Sequence, residues 1–258
     1  MRYIERPLYK GTYPLAKLAT YKRAPYDGKR VKVHLVECYG FRCCYCETPI
    51  LSTTTFQVDH FYPQNPNLLP ANLTQSQYNS IVNHVKNYHL SCPRCNVIKS
   101  NKLNNISPNY YYDFVHSQWE LSRKEFYREN LEYRGPYIYP VNNSSLALQF
   151  ITNLNLNGLT DSESDGLRLA LIDQRSAYLI ETQILLQSCY LLMNAREYNG
   201  AAILLLYVGA RFREDAPYST MIVDNYGPQL YAMLCKLKLK VSTQSKVLIK
   251  SIIHSILR

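Results

Sequence analysis

Two stretches decide the reading of this chain: FRCCYCE at 41–47 and NYHLSCPRCNVIKSN at 87–101, with FQVDHFYPQ at 56–64 between them. Cys43 and Cys46 form one C-x-x-C pair, Cys92 and Cys95 a second, and 45 residues separate them. Each such turn aims two sulfurs at one point without strain, and a structural zinc takes four thiolates at about 2.3 Å, so the spacing predicts one zinc bound by all four. A redox pair or an iron site is open to the same residues; disulfides are the poorer explanation in a reducing compartment. Cys44 is out of phase with its turn and reads as a bystander. Cys38, Cys189 and Cys235 sit among apolar neighbours and read as small core hydrophobes.

The zinc closes the loop 47–91, and the alternation of Phe56, Val58 and Phe61 predicts a short strand there, with Asp59 and His60 beside its exposed end. Between residues 48 and 85 Asp59 is the only charged side chain, in a stretch rich in Asn, Gln, Ser, Thr and Pro. A lone carboxylate beside an imidazole is a catalytic pairing, whereas a DH dipeptide in isolation would read as a turn. After the second pair, Val97, Ile98 and Lys99 are expected to begin a helix. The order is strand, strand, helix.

Those residues resemble the HNH nucleases of the ββα-metal fold. The shared pattern is C-x-x-C, then DH with a nearby Pro, then Asn five residues before a second C-x-x-C, then Asn or His, then Lys. Here these are Cys43 and Cys46, Asp59 and His60 with Pro63, Asn87, Cys92 and Cys95, Asn96, and Lys99. The pattern covers about 43–101, and its order and spacing together make it specific. Asn96 stands where His is the other family choice and leaves an oxygen ligand. More loosely, MRYIERP at the N-terminus and FITNLNLNGL with Arg175 downstream look like the HNH subunits (PtuB type) of Septu and retron-associated antiphage systems. In such systems the nuclease works with an ABC-type ATPase, PtuA; this sequence has no phosphate-binding G-x-x-x-x-G-K-[ST] loop of its own.

The resemblance implies metal-assisted hydrolysis of phosphodiester bonds. His60 is expected to act as general base, because neutral imidazole suits that task near pH 7. Asp59 and Asn96 are expected to hold one magnesium or manganese ion; a single local carboxylate argues against a two-metal clamp. The expected products carry a 5′-phosphate and a 3′-hydroxyl. Asn87 is expected to bond the loop so that the His60 ring points at the water, and Arg94, Lys99 and Lys102 to contact phosphate. Each has a plainer alternative: Asn87 a turn, Asn96 a helix cap, Lys99 a surface charge. His34, His84, His89, His116 and His254 lack motif support and read as structural.

Charge agrees with a polyanion partner. Residues 1–102 carry 14 Lys and Arg against 5 Asp and Glu, nearly all of the net +10. Such a concentration of cations fits nucleic acid, DNA first and RNA second, though a basic solvated surface would look the same. Most of the 24 Tyr are read as filling a core short of Phe and Trp. The most apolar run, AAILLLYVGA at 201–210, is far shorter than the ~18 residues a bilayer crossing needs. Charges and prolines interrupt the N-terminal segment, so no secretory signal is expected and the chain is read as cytoplasmic.

Beyond about residue 103 the pattern turns helical. Ser117-x-x-Glu120 and Thr160-x-x-Glu163 have the form of capping boxes. Apolar triplets seven apart, from Ala170–Ile172 to Leu191–Met193, predict a wide band buried between neighbours. Further helices are expected at 200–212 and 229–257, with Gly227-Pro228 as a break. The expected class is therefore α+β, predominantly helical. A zinc-stabilised HNH nuclease domain with an N-terminal helical extension would occupy 1–140, and a helical scaffold or partner-docking region 141–258. A zinc-stabilised nucleic-acid-binding module without turnover is the alternative function.

Overall fold

The computed structural model describes residues 29–50, 56–65, 67, 73–100, 110–113, 118–121, 129–158, 166–212 and 216–238. Helix α1 (Lys29–Tyr39) opens the described chain. Its buried positions Val31, His34, Leu35, Cys38 and Tyr39 follow the 3.6-residue period of one helical face. Gly40, at φ +61°, ends it in the left-handed conformation that glycine adopts without penalty.

Strand β1 (Gln57–His60) pairs antiparallel with β2 (Tyr88–Ser91), placing Asp59 opposite His89 and His60 opposite Tyr88. Between them lies α2 (Gln75–Val82), started by a capping box in which Thr74 and Gln77 satisfy each other's backbone donors. Ile81 and Val82 bury against Phe61 and Tyr62. Directly after β2 comes α3 (Pro93–Lys99), with Cys92 at its N-cap and Pro at its first position. The expected order of strand, strand and helix is present. The helix starts earlier than expected, because Cys92-Pro93 satisfies the N-terminus and carries Cys95 and Asn96 inside it.

Strands β3 (Tyr110–Asp113) and β4 (Gln118–Leu121) pair antiparallel. This corrects the helix expected from Ser117-x-x-Glu120: Trp119 and Leu121 suit a strand, and pairing with three consecutive tyrosines outweighs the local capping signal. A third two-stranded sheet joins β5 (Leu131–Arg134) and β6 (Tyr137–Pro140) through the turn at Gly135-Pro136. After β6 the next α-helix is α4 (Ser145–Asn153), capped by Ser144. Then follow α5 (Gly166–Asn194), α6 (Tyr198–Arg211) and α7 (Ser219–Lys238). The Thr160-x-x-Glu163 box, MRYIERP and residues 239–257 lie outside the described residues.

Gly227-Pro228 does not break α7. The helix runs through Pro228 because Leu230, Met233, Leu234 and Leu237 beyond it are buried, which offsets the lost backbone bond. In α5 the apolar band is only half buried. Leu171, Ile172, Leu179, Leu186 and Cys189 face inward, whereas Leu169, Ile180, Ile184, Tyr190 and Leu191 are exposed. Among the described residues no helix is long and apolar enough to cross a membrane.

The chain divides into two compact units, one of residues 1–131 and 139–156, the other of 132–138 and 157–258. The chain thus passes between units three times. Within the second unit, side chains grip the hairpin segment 132–138. Asn157 bonds both Ile138 backbone groups, at 2.9 and 2.7 Å, and Arg175 donates to the Pro136 carbonyl at 3.2 Å. Asp224 and Asn225 accept from the Tyr133 and Gly135 amides, each at 2.9 Å. The FITNLNLNGL segment and Arg175 thereby acquire a structural role. The molecule is predominantly helical with small sheets, consistent with α+β.

Candidate functional site

The first unit gathers the four cysteines. Cys43 donates its amide to the Thr48 carbonyl, Glu47 donates back to Cys43, and Cys44 donates to Leu90, which ties this turn to β2. Cys92 and Cys95 come from the N-cap and first turn of α3. All four Sγ atoms lie within 4.8 Å of one another. The Cys46–Cys92 pair stands at 3.9 Å, close to the ~3.8 Å edge of a tetrahedron with 2.3 Å zinc–sulfur bonds and far beyond a disulfide. The donor set fits a zinc: four cysteines in this arrangement could hold one ion.

The electrostatics agree. Burial opposes a Cys43 thiolate, but hydrogen bonds from Cys44, Cys46, Cys92 and Cys95 outweigh it and bring this thiol well below its usual range. Cys95 is pushed well above its usual range, first by its hydrogen bond to Cys43. Cys46 is likewise brought below its usual range and Cys92 pushed up, so the cluster accepts charge on the first pair and resists it on the second, which is what a cation would relieve.

Asp59 and His60 end β1, and they are not exposed there. Asp59 is 4% exposed and His60 9%. The Tyr45 hydroxyl donates to Asp59 Oδ2, and Lys99 Nζ lies 3.1 Å from Oδ1 and 2.7 Å from the His60 carbonyl oxygen. Burial pushes the Asp59 carboxyl up, and Lys99 and Tyr45 pull it partly back. His60 is pushed down to about 4, first by burial and then by the charge of Lys99, so its ring is neutral at pH 7. That ring packs edge-on against Tyr88 at 5.0 Å and brings Nε2 within 3.5 Å of the exposed Gln64 amide.

Asn87 is fully buried and holds the chain just after His60. Its Oδ1 accepts from the Tyr62 amide at 2.8 Å, and its Nδ2 donates to the Tyr62 and Val82 carbonyls at 3.1 Å. Asn96 Nδ2 donates to Gln57 Oε1 at 2.6 Å. Arg94 is half-buried in the first turn of α3, and Lys102 lies outside the described residues.

Lys99 departs from the expected phosphate contact. Its side chain is fully buried, because the carboxylate it neutralises is itself buried and recruits the ammonium inward. Both Asp59 carboxylate oxygens receive donors, one of them a cation, so that carboxylate is not free for a second cation, whereas Asn96 donates to Gln57 through Nδ2, the atom that would not ligate one. Tyr45, Gln57 and Gln64 were not singled out in the sequence; only the position of Tyr45 inside C-C-Y-C could have flagged it. His34 beside Cys38, His84 capping the turn at Val85–Asn87, and His89 against the Tyr39 hydroxyl at 2.5 Å all serve local structure.

Comparison of the chain with protein-family models, with curated proteins and with solved structures finds no match.

Proposed function

We propose that this chain is a metal-dependent endonuclease of the HNH type that hydrolyses phosphodiester bonds of DNA on a zinc-braced strand–strand–helix core. The observation that carries the reading is His60 at the end of β1. It is neutral at pH 7, adjacent to Asp59, and mounted on a two-stranded sheet whose flanks carry the four clustered cysteines. A neutral imidazole takes the proton from an attacking water without first having to lose one of its own. Asn87 fixes the Phe61–Tyr62 backbone and so the direction in which the ring leaves the strand. Tyr45 and Lys99 hold the Asp59 carboxylate at the base of the site.

A magnesium or manganese ion at Asp59 and Asn96 would supply Lewis-acid stabilisation of the phosphate. With Lys99 donating to Asp59, that ammonium has to be released first. That same arrangement favours a second reading, a zinc-stabilised nucleic-acid-binding module without turnover. In the wider proposal the chain is the effector nuclease of an antiphage complex with a PtuA-like ABC-type ATPase. The absence of a phosphate-binding loop in the sequence and the cationic 1–102 segment support it.

Plasmid nicking in magnesium, with the ATPase present and absent, tests the reading. Wild-type protein cuts and His60→Ala does not, with zinc content equal in both. Full activity in His60→Ala refutes the assignment; inactivity of the wild type in both conditions favours the binding module. Matched DNA and RNA substrates identify the polymer, and co-purification tests the ATPase partner.

A further inference from the structure

Gln64 is exposed, yet it is held at both its backbone and its side chain. Its backbone carbonyl accepts from the Tyr78 hydroxyl, and the Tyr78 ring packs against the buried cluster of Phe61, Tyr62, Ile81 and Val82. Its side-chain Nε2 lies 3.5 Å from His60 Nε2. An amide nitrogen carries two N–H donors and accepts nothing, so at this contact the ring nitrogen is the acceptor. A neutral imidazole that accepts at Nε2 carries its proton on Nδ1. At 3.5 Å the bond stands at the long end of the hydrogen-bonding range, so a water can take the place of the amide at little cost.

We infer that Gln64 is a positioning residue that fixes the tautomer of His60, keeping the ring proton on Nδ1 and the Nε2 lone pair available as the basic atom. Gln64 exchanges no proton itself. When the attacking water arrives, the amide yields the lone pair, the water's proton passes to Nε2, and the ring becomes an imidazolium while the hydroxide oxygen attacks phosphorus. This role deepens the nuclease reading and rests on it for what the lone pair is used for, while the tautomer itself is a property of Gln64 and His60. Through Tyr78, helix α2 sets where the Gln64 backbone sits and so belongs to the same device.

Long-range ¹H–¹⁵N spectra of the full-length, zinc-loaded protein at pH 7, without magnesium, distinguish a protonated ring nitrogen from an unprotonated one; the His60 signals are those lost in His60→Gln. Wild type carries the proton on Nδ1. Gln64→Ala withdraws the donor, and the ring becomes a mixture of both tautomers. Gln64→Glu puts an acceptor in the same place and moves the proton to Nε2. A wild-type proton on Nε2, or a ring signature that is the same in wild type and both variants, overturns the inference.

Cleavage provides a second measurement. Gln64→Ala lowers kcat about two- to tenfold, the effect of one ordinary hydrogen bond, with zinc content unchanged. Gln64→Glu, although closer in shape to glutamine, falls below Gln64→Ala; activity of Gln64→Glu at or above that of Gln64→Ala overturns the inference, because a merely structural glutamine tolerates its isostere better than a truncation. The two readings separate cleanly. A ring proton whose place depends on Gln64, in a protein that cuts neither DNA nor RNA, leaves the tautomer assignment and sinks the nuclease. Cleavage that needs His60 while the ring signature is indifferent to Gln64 does the reverse.

Discussion

Replacing Asp59 with Asn preserves the size of the side chain and removes only its charge. The amide oxygen can still accept from Tyr45, and the His60 carbonyl can still accept from Lys99. The ammonium, however, loses its anion while remaining enclosed, since its side chain is 1% exposed. Removing one partner of a buried ion pair costs about 3–5 kcal/mol, and the surviving carbonyl contact places this case near the lower end, at about 3 kcal/mol. Urea unfolding of zinc-saturated protein measures it, with the slope of the transition expected to be unchanged. Lys99→Met should cost a similar amount for the mirror-image reason. The double variant should cost at least about 1 kcal/mol less than the two single costs combined, because no uncompensated charge is left behind. An Asp59→Asn cost below about 1 kcal/mol, the range of exposed pairs, would refute the claim that this pair is buried and mutually dependent.

Three further outcomes are expected. His60 is pushed down to about 4 in the folded chain, against about 6.5 unfolded. The unfolded state therefore gains its proton first as pH falls, and stability is lost between about pH 6.5 and 4. Relative to His60→Gln, wild-type protein should lose about 2 kcal/mol between pH 7 and 5, and equal losses in both proteins would reject the shift. Asn87→Ala strips partners from the Tyr62 amide and from the Tyr62 and Val82 carbonyls. It should cost about 3 kcal/mol in chemical denaturation and lower cleavage with zinc retained; a silent variant would rule out the positioning role. Atomic spectroscopy should find one zinc per chain, and Cys95→Ser should lose both the metal and the thermal transition of the wild type. An identical melting temperature in metal-free protein would exclude a structural zinc.

How much of this was legible in the sequence depends on how far apart the deciding residues lie. The cysteine cluster was readable because C-x-x-C is a local geometric device, and the strand at 57–60 because its alternation is local too. The start of α3 is also written locally, since Pro93 after Cys92 is a helix-start signal. The burial of Asp59 could not be read: the groups that neutralise it stand 14 residues before and 40 after, and nothing in FQVDHFYPQ records that they converge. Pairing across a sheet decided β4 against its capping pattern, and buried leucines carried α7 through Pro228; both are tertiary effects that overrule local propensity.

Between His60 and Tyr88 the chain makes an excursion of 27 residues, and its neck is pinched shut. The Phe61 amide donates to the Asn87 carbonyl at 2.9 Å, and the Asn87 side chain clasps Tyr62. Because the ends are fastened to each other, lengthening the excursion is a matter of chain entropy alone, about 0.6 kcal/mol for each doubling. The exposed Asn67, inside the excursion, is thus a natural splice point. New segments grafted there can change what the surface grips while Asp59 and His60 keep their seats.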